Sequence, residues 1–286
     1  MLHVVRRDPH ALDYNRSRWT LSTLREACSS WLDLQTDSGL YGLMRRLGIT
    51  YKRGREYVHS PDPDYEAKRA YIDERLQEAR QSDDQVLLYQ DECTYYRQPT
   101  VAQGYEAERQ SLAPHADLGH HGSRCHRITG ALNPFSGRVI FSQQRKMGTD
   151  GLLAFYRQVC AAYPETSTIY LVQDNWPVHF HADVIGTLKK QTWRWSRPSV
   201  PDNWPAIPDQ PTTTGGPLPI EIVRLPTYAS WLNPIEKLWR WMKQEVIHLH
   251  RLADQWEQLK QRVATFLRQF EEGSQRLLRY TGLLPN

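Results

Sequence analysis

Three short apolar runs punctuate an otherwise polar chain: Val86-Leu87-Leu88-Tyr89, Thr168-Ile169-Tyr170-Leu171-Val172 and residues 220–225. Each is too short for a helix and has the continuous hydrophobicity of a strand covered on both faces. Between the first two lie two more strand-like runs, residues 127–132 and 138–142. Asn133-Pro134-Phe135-Ser136-Gly137 joins them with the chemistry of a hairpin turn. Elsewhere the period lengthens to that of helices, over about 64–81, 149–162 and 181–190. A further amphipathic helix opens near Asn233, with Ile235, Leu238, Trp239, Met242 and Val246 as its apolar stripe. This order of strand, hairpin, helix, strand, helix, strand, helix predicts an α/β fold, a mixed sheet with helices on its faces. Residues 191–219, rich in Pro, Trp, Thr and Gly, have no period and read as an inserted loop.

The first 60 residues follow a different pattern. Thr20 suits the N-cap of a helix through Leu21, Leu24, Ala27 and Trp31. A second helix, about 38–47, carries Leu40, Leu43, Met44 and Leu47, with Gly48 placed to end it. The basic segment Tyr51-Lys52-Arg53-Gly54-Arg55 follows. Two short helices with a basic exit fit a helix-turn-helix as well as an ordinary helical hairpin. As DNA-binding residues this region offers Arg45, Arg46, Lys52, Arg53 and Arg55. The expected organisation is a partial helix-turn-helix region at 1–60, a linker helix at 61–84, and an α/β domain at 85–286.

Composition narrows the classes. A hydrophobic fraction of 40% and a mean hydropathy of −0.67 are those of a globular protein. No apolar run approaches the roughly 18 residues of a membrane span, and the first residues lack the apolar core of a secretory signal. A cytoplasmic location is expected. The net charge of +4 permits a polyanionic partner without requiring one. Cys28, Cys93, Cys125 and Cys160 form no CxxC pair, so reduced thiols are expected. His115, His120, His121, Cys125 and His126 cluster in a Gly-containing stretch, but their spacing matches no common zinc site.

The candidate chemistry lies in the acids. Two apolar strands each run into an Asp, in Gln90-Asp91-Glu92 and Gln173-Asp174-Asn175. The C-terminal ends of strands are where α/β sheets gather ligands. Alternation places Leu87, Tyr89 and Asp91 on one face, with Glu92 on the other, and groups Tyr170, Val172 and Asp174. Either Asp standing alone is better explained as a cap on the following turn. In Asn233-Pro234-Ile235-Glu236, Asn233 suits an N-cap and Glu236 the third helical position, where a capping box explains it equally well. Arg240 and Lys243 lie off the apolar stripe with Glu236, a charged face either solvated or turned to phosphates. Taken together, three carboxylates suit phosphodiester chemistry with two Mg²⁺ ions, about 4 Å apart, which take hard oxygen ligands.

The blocks Tyr89-Gln90-Asp91-Glu92, Leu171-Val172-Gln173-Asp174-Asn175 and Leu225-Pro226-Thr227-Tyr228 through Leu232-Asn233-Pro234-Ile235-Glu236-Lys237-Leu238-Trp239 closely resemble the three catalytic blocks of mariner-type DDE transposases. The nearest branch is the bacterial insertion sequence 630 family. The resemblance covers about residues 85–250. It implies a ribonuclease-H-like fold and metal-dependent DNA cleavage with strand transfer, the steps of cut-and-paste transposition. It also implies two Mg²⁺ or Mn²⁺ ions on Asp91, Asp174 and Glu236, with Asn175, His179 and Asn233 as active-site support. The partners implied are double-stranded DNA, as the element's terminal inverted repeats and target DNA, and a second copy forming a homodimer on DNA. The setting implied is the bacterial nucleoid, with no membrane involved. Against the family pattern, Ala229-Ser230-Trp231 replaces Ser-Pro-Glu or Ser-Pro-Asp, residues 191–219 lengthen the loop before Glu236, and the chain begins inside the DNA-binding region. A DNA-binding protein without catalysis, decayed or repurposed, is the competing reading.

Overall fold

The computed structural model describes residues 1–16, 18–50, 60–103, 114–214 and 216–285. Lys52, Arg53 and Arg55 lie outside the described residues. The chain divides into two compact units, Met1–Val58 and His59–Asn286.

The first unit is helical. After α1 (Leu2–Val5), α2 (Leu21–Cys28) opens with a capping box in which Thr20 and Thr23 satisfy each other's backbone N–H groups. Then α3 (Asp37–Arg46) starts on Thr36, whose hydroxyl accepts from the Gly39 N–H. Leu24, Cys28 and Leu40 form the buried side of this pair, and Arg25 bridges to Asp37 at 2.9 Å. Helix α2 ends a turn earlier than the spacing predicts, which leaves Trp31 half exposed beyond it. Gly48, at φ +70°, ends α3 where expected, since this left-handed geometry is free of strain only for glycine. Arg45 and Arg46 occupy the last turn of α3 and are exposed.

In the second unit, α4 (Tyr65–Gln81) leads into β1 (Gln85–Tyr96), β2 (Cys125–Leu132) and β3 (Val139–Gln144). Next come α5 (Thr149–Ala162), β4 (Thr168–Gln173), α6 (Ala182–Thr187), β5 (Ile220–Arg224), α7 (Ile235–Met242), α8 (Trp256–Arg268) and α9 (Gln275–Thr281). The five strands form one sheet in the order β3-β2-β1-β4-β5. The β1–β2 and β2–β3 pairs are antiparallel, the β1–β4 and β4–β5 pairs parallel. Strand β1 runs well past its apolar start, because its polar half, Gln90 to Tyr96, pairs along β2.

Strand alternation sorts the core. Val86 and Leu88 face α5 and α6, packing with Leu152, Phe155, Tyr156, Ile169, Leu171 and Val184. Leu87 and Tyr89 face the other way, onto Tyr71 and Ile72 of α4 together with Tyr170, Val172, Val223 and Leu225. Further along that face, Cys93, Tyr95 and Ile128 lie under α7 and α8. Helices thus cover both faces of the sheet, and each fully buried Leu, Ile or Phe contributes about 1.5–3 kcal/mol. The helix expected as a linker is therefore a layer of this unit: α4 buries its apolar side on β1.

The loop before β5 is also integrated. The Gln191 side chain donates to the Ile220 carbonyl and accepts from the Ile222 N–H, standing in for a neighbouring strand at the β5 edge. Trp193 packs toward Phe180, and Trp195 meets Tyr71 edge-on. Trp204 lies 4.7 Å from His181, ring to ring.

Candidate active site

Asp91 sits where β1 outruns β4 and shares a face with Tyr89 and Cys93. Directly across the antiparallel ladder is Gly130. A β-carbon there would come within 2.6 Å of the Trp239 ring, so glycine at this position lets the indole pack against the sheet. In that place the Trp239 Nε1–H donates to Asp91 Oδ2 at 2.9 Å. The tryptophan of the α7 apolar stripe thus reaches a sheet carboxylate.

Asp174 follows the last residue of β4, and its Oδ1 accepts from the Trp176 N–H, closing the turn. Next to it, Asn175 donates to the Leu225 carbonyl and accepts from Arg224 Nε, which ties the end of β4 to the end of β5. Asn233 is buried and does not cap α7. Its side chain donates to the Gln90 carbonyl at 3.0 Å, stapling the start of α7 to β1 beside Asp91. Pro234 is the residue before the first helical one, with no side-chain cap. Glu236 therefore stands one position earlier than predicted and makes no capping box, so its helix-capping explanation falls away.

Asp91, Asp174 and Glu236 line one cleft of about 420 Å³, with Asn175, Asn233 and the loop from Leu225 to Ser230. Burial, and then the Glu236 and Glu92 charges, push the Asp91 carboxyl up to about 8. Burial also raises Glu236, against the opposing pull of Lys243 and Arg240. Those two cations, expected as DNA contacts, project near the same carboxylate. None of the three acids forms an ion pair with a described Lys or Arg. The cleft concentrates negative charge without an internal cation, the property of a cation site.

A second cluster backs Asp174. His179 is fully buried in a short 3₁₀ turn, with Nε2 3.2 Å from Glu92 Oε1 and Nδ1 3.4 Å from Asp174 Oδ1. Gln90 donates to the same Glu92 oxygen at 2.7 Å. Burial alone would lower the imidazole pKa, but Glu92 and then Asp174 outweigh it and raise it. Glu92, Asp174 and His179 offer ligand atoms within 4.8 Å of one another, and among the described residues no other such group of three or more forms. The face opposite Asp91 therefore joins the site through Glu92. Sequence reasoning passed over this residue, and its signal was the adjacent pair of acids on a strand with two covered faces. The His/Cys stretch at 115–126 brings no such group together: His115 pairs with Asp117 and His120 with Asp254.

The loop leading to Glu236 is held from outside the cleft. Ser60 Oγ donates to the Thr227 carbonyl, and the Thr227 N–H donates to Asp62 Oδ2 at 2.8 Å. Asp62 is itself paired with buried Lys68 at 2.7 Å. Next in the loop, Tyr228 takes φ +55° and is exposed.

Residues 86–260 match the DDE superfamily endonuclease family. The insertion element IS630 uncharacterized 39 kDa protein of Shigella sonnei is 21% identical over 261 residues, 90% of this chain and 66% of that protein. The chain thus spans just under two thirds of that relative's length. In three dimensions it is similar to the Mos1 mariner paired end complex with Mn, at a TM-score of 0.61 and 16% identity, covering 98% of this chain and 76% of the other. The Mos1 transposase paired-end complex with left transposon end gives 0.56 and 15%, over 95% and 77% of the two chains. At such identity the likeness speaks for the fold, a ribonuclease-H-like mixed sheet with flanking helices. With well over half of its residues matched by the family, the chain belongs to the DDE superfamily endonucleases.

Proposed function

We propose that the chain acts as a transposase, cutting DNA at the ends of its element and joining the freed 3′-hydroxyl to target DNA. The observation that carries this reading is the convergence of Asp91, Asp174 and Glu236, from two strands and a helix, on one cleft with no cation of its own. The three carboxylates would hold two Mg²⁺ or Mn²⁺ ions, hard cations suited to oxygen donors. Bound metal supplies the acidity that activates water or a 3′-hydroxyl and the charge that stabilises the leaving oxygen.

The protein's own part is positioning. Trp239 fixes one oxygen of Asp91, and Asn233 and Asn175 fix the backbones that carry Glu236 and Asp174. His179 acts behind Asp174 as an orienting group: its nitrogens already face Glu92 and Asp174, and imidazole is a poor donor for Mg²⁺. Arg240 and Lys243 meet the phosphates flanking the scissile bond. In the N-terminal unit, Arg45 and Arg46 of α3, with Lys52, Arg53 and Arg55, contact the backbone of the element's terminal inverted repeats. The protein works as a homodimer on duplex DNA at the bacterial nucleoid, and no described helix is long and apolar enough to cross a membrane.

Mg²⁺-dependent nicking of plasmid DNA, lost in Asp174→Ala, is the expected result. Transfer of labelled element ends into a second DNA distinguishes a transposase from a nuclease on the same scaffold. A folded wild-type chain that cleaves no DNA with Mg²⁺ or Mn²⁺ overturns the proposal in favour of a DNA-binding protein without catalysis.

A further inference from the structure

A larger cavity, about 680 Å³, lies at the far end of the β1–β2–β3 part of the sheet. It wraps the first residues of β2 and the residues that follow β3, and the carboxylate cleft shares none of its lining. Arg124, Arg127, Arg145 and Lys146 line it, together with His126 and Trp256, and no acid does. None of the four cations forms an ion pair with a described residue. Glu257, the acid whose charge acts on His126, is ion-paired with Lys260. His126 Nδ1 is buried and has no hydrogen-bond partner, while its ring meets Trp256 edge-on. Four uncompensated cations around one concavity repel one another, and a fold tolerates this most readily where an anion offsets it.

The sheet register places this cavity relative to the chemistry. Gly130 is opposite Asp91, and Arg127 is three residues back along β2. At about 3.3 Å per residue the separation is roughly 10 Å along the strand. Duplex DNA carries one phosphate per strand for about every 3.4 Å of its axis, so a backbone held at one of these places passes close to the other.

From these observations we infer that the cavity formed by Arg124, Arg127, Arg145 and Lys146 is a second DNA site. It grips the phosphate backbone of the strand whose scissile phosphate lies at Asp91, with His126 and Trp256 completing the wall of the pocket. The inference rests on the reading of the carboxylate cleft as a DNA-processing centre. It adds a place for the strand that the carboxylates, being anionic, cannot grip. The grip is electrostatic and indifferent to sequence.

The test is binding of a fluorescent 20-base-pair duplex to the full chain, followed by anisotropy across a salt titration without divalent metal. Arg127→Ala/Arg145→Ala removes two phosphate contacts, so the slope of log K against log salt should become shallower by about 1.8. Lys189→Ala/Arg194→Ala, near β5 at the opposite edge of the sheet from β3, should leave the slope unchanged. Inorganic phosphate at matched ionic strength should not displace the duplex, which separates a backbone track from a pocket for free phosphate; displacement overturns the inference. So does a double variant with the wild-type melting temperature and an unchanged slope. Nicking by the wild-type chain with Mg²⁺ is measured alongside. An unchanged slope with nicking intact refutes this site alone, whereas loss of nicking in the wild-type chain refutes the reading of the carboxylate cleft.

Discussion

Gly130→Ala adds one methyl group to the sheet and changes no charge, yet it should disable the site. The new carbon would sit 2.6 Å from Trp239 Cη2, 3.0 Å from Cζ2 and 3.3 Å from Ile235 Cδ1. Carbon contacts need about 3.5–4.0 Å, so the indole must retreat by roughly 1 Å. It is almost fully buried among α7, α8 and the sheet, and has nowhere to go without moving α7. Overpacking of this kind costs about 1–3 kcal/mol. A 1 Å retreat also stretches the 2.9 Å bond to Asp91, a hydrogen bond to a carboxylate, which contributes about 1.5–3 kcal/mol when the acid is ionised. Urea unfolding at pH 9, where Asp91 is mostly ionised, should register a loss of about 2.5–6 kcal/mol, and nicking should fall by at least tenfold. Trp239→Phe in the Gly130→Ala background removes the clashing ring atoms and should recover part of the stability but none of the nicking, because the N–H donor is gone. The double-mutant cycle should show coupling above about 1 kcal/mol. Wild-type unfolding and nicking in Gly130→Ala would refute the account of how Asp91 is held.

Three further outcomes follow from the charges. The Asp91 pKa is raised in the folded chain, so ionisation costs stability as pH rises from about 4 to about 8. Asp91→Asn should therefore raise the metal-free melting temperature at pH 8, have little effect near pH 4, and abolish metal-dependent nicking; a lower melting temperature at pH 8 counts against the burial argument. Asp62 shifts the opposite way: burial opposes ionisation, but Lys68 and the Thr227 and Asp64 N–H groups prevail and lower it to about 2. Its contribution, about 2 kcal/mol by linkage, is present above pH 4 and lost as pH falls toward 2. Asp62→Asn should flatten that acid limb in a denaturation series and reduce nicking by loosening Thr227. Glu92→Gln should weaken Mg²⁺-supported nicking several-fold through a raised metal requirement, with the rate at saturating metal nearly kept; an unchanged metal titration would separate Glu92 from the site.

How much of this was legible in the chain depends on what each residue answers to. Asp91 and Asp174 could be proposed because a buried strand imposes a two-residue period: Asp174 follows the end of β4, and Asp91, though mid-strand in β1, lies just beyond the point where β4 stops pairing with it. Glu236 could not be read from period alone, since a glutamate in the first turn of a helix satisfies capping equally well. Only the resemblance selected it, and the structure then removed the competing explanation by sending the Asn233 side chain to the Gln90 carbonyl. What stayed hidden depends on distance across the fold. That Gly130 has no side chain carries meaning only once Trp239, 109 positions later, is laid over it. Likewise Glu92 looks like the spare member of an acid pair until His179 joins it to Asp174 from the other face of the sheet. The helix taken as a linker misled for the same reason: its mixed surface suggests solvent on most sides, yet Tyr71, Ile72 and Ala79 suffice to seat it on β1. From there Lys68 and Asp62 reach the Thr227 backbone. A segment that reads as a connector is thus part of what holds the loop before Glu236, and mutations in α4 should be felt in catalysis before they are felt in DNA binding.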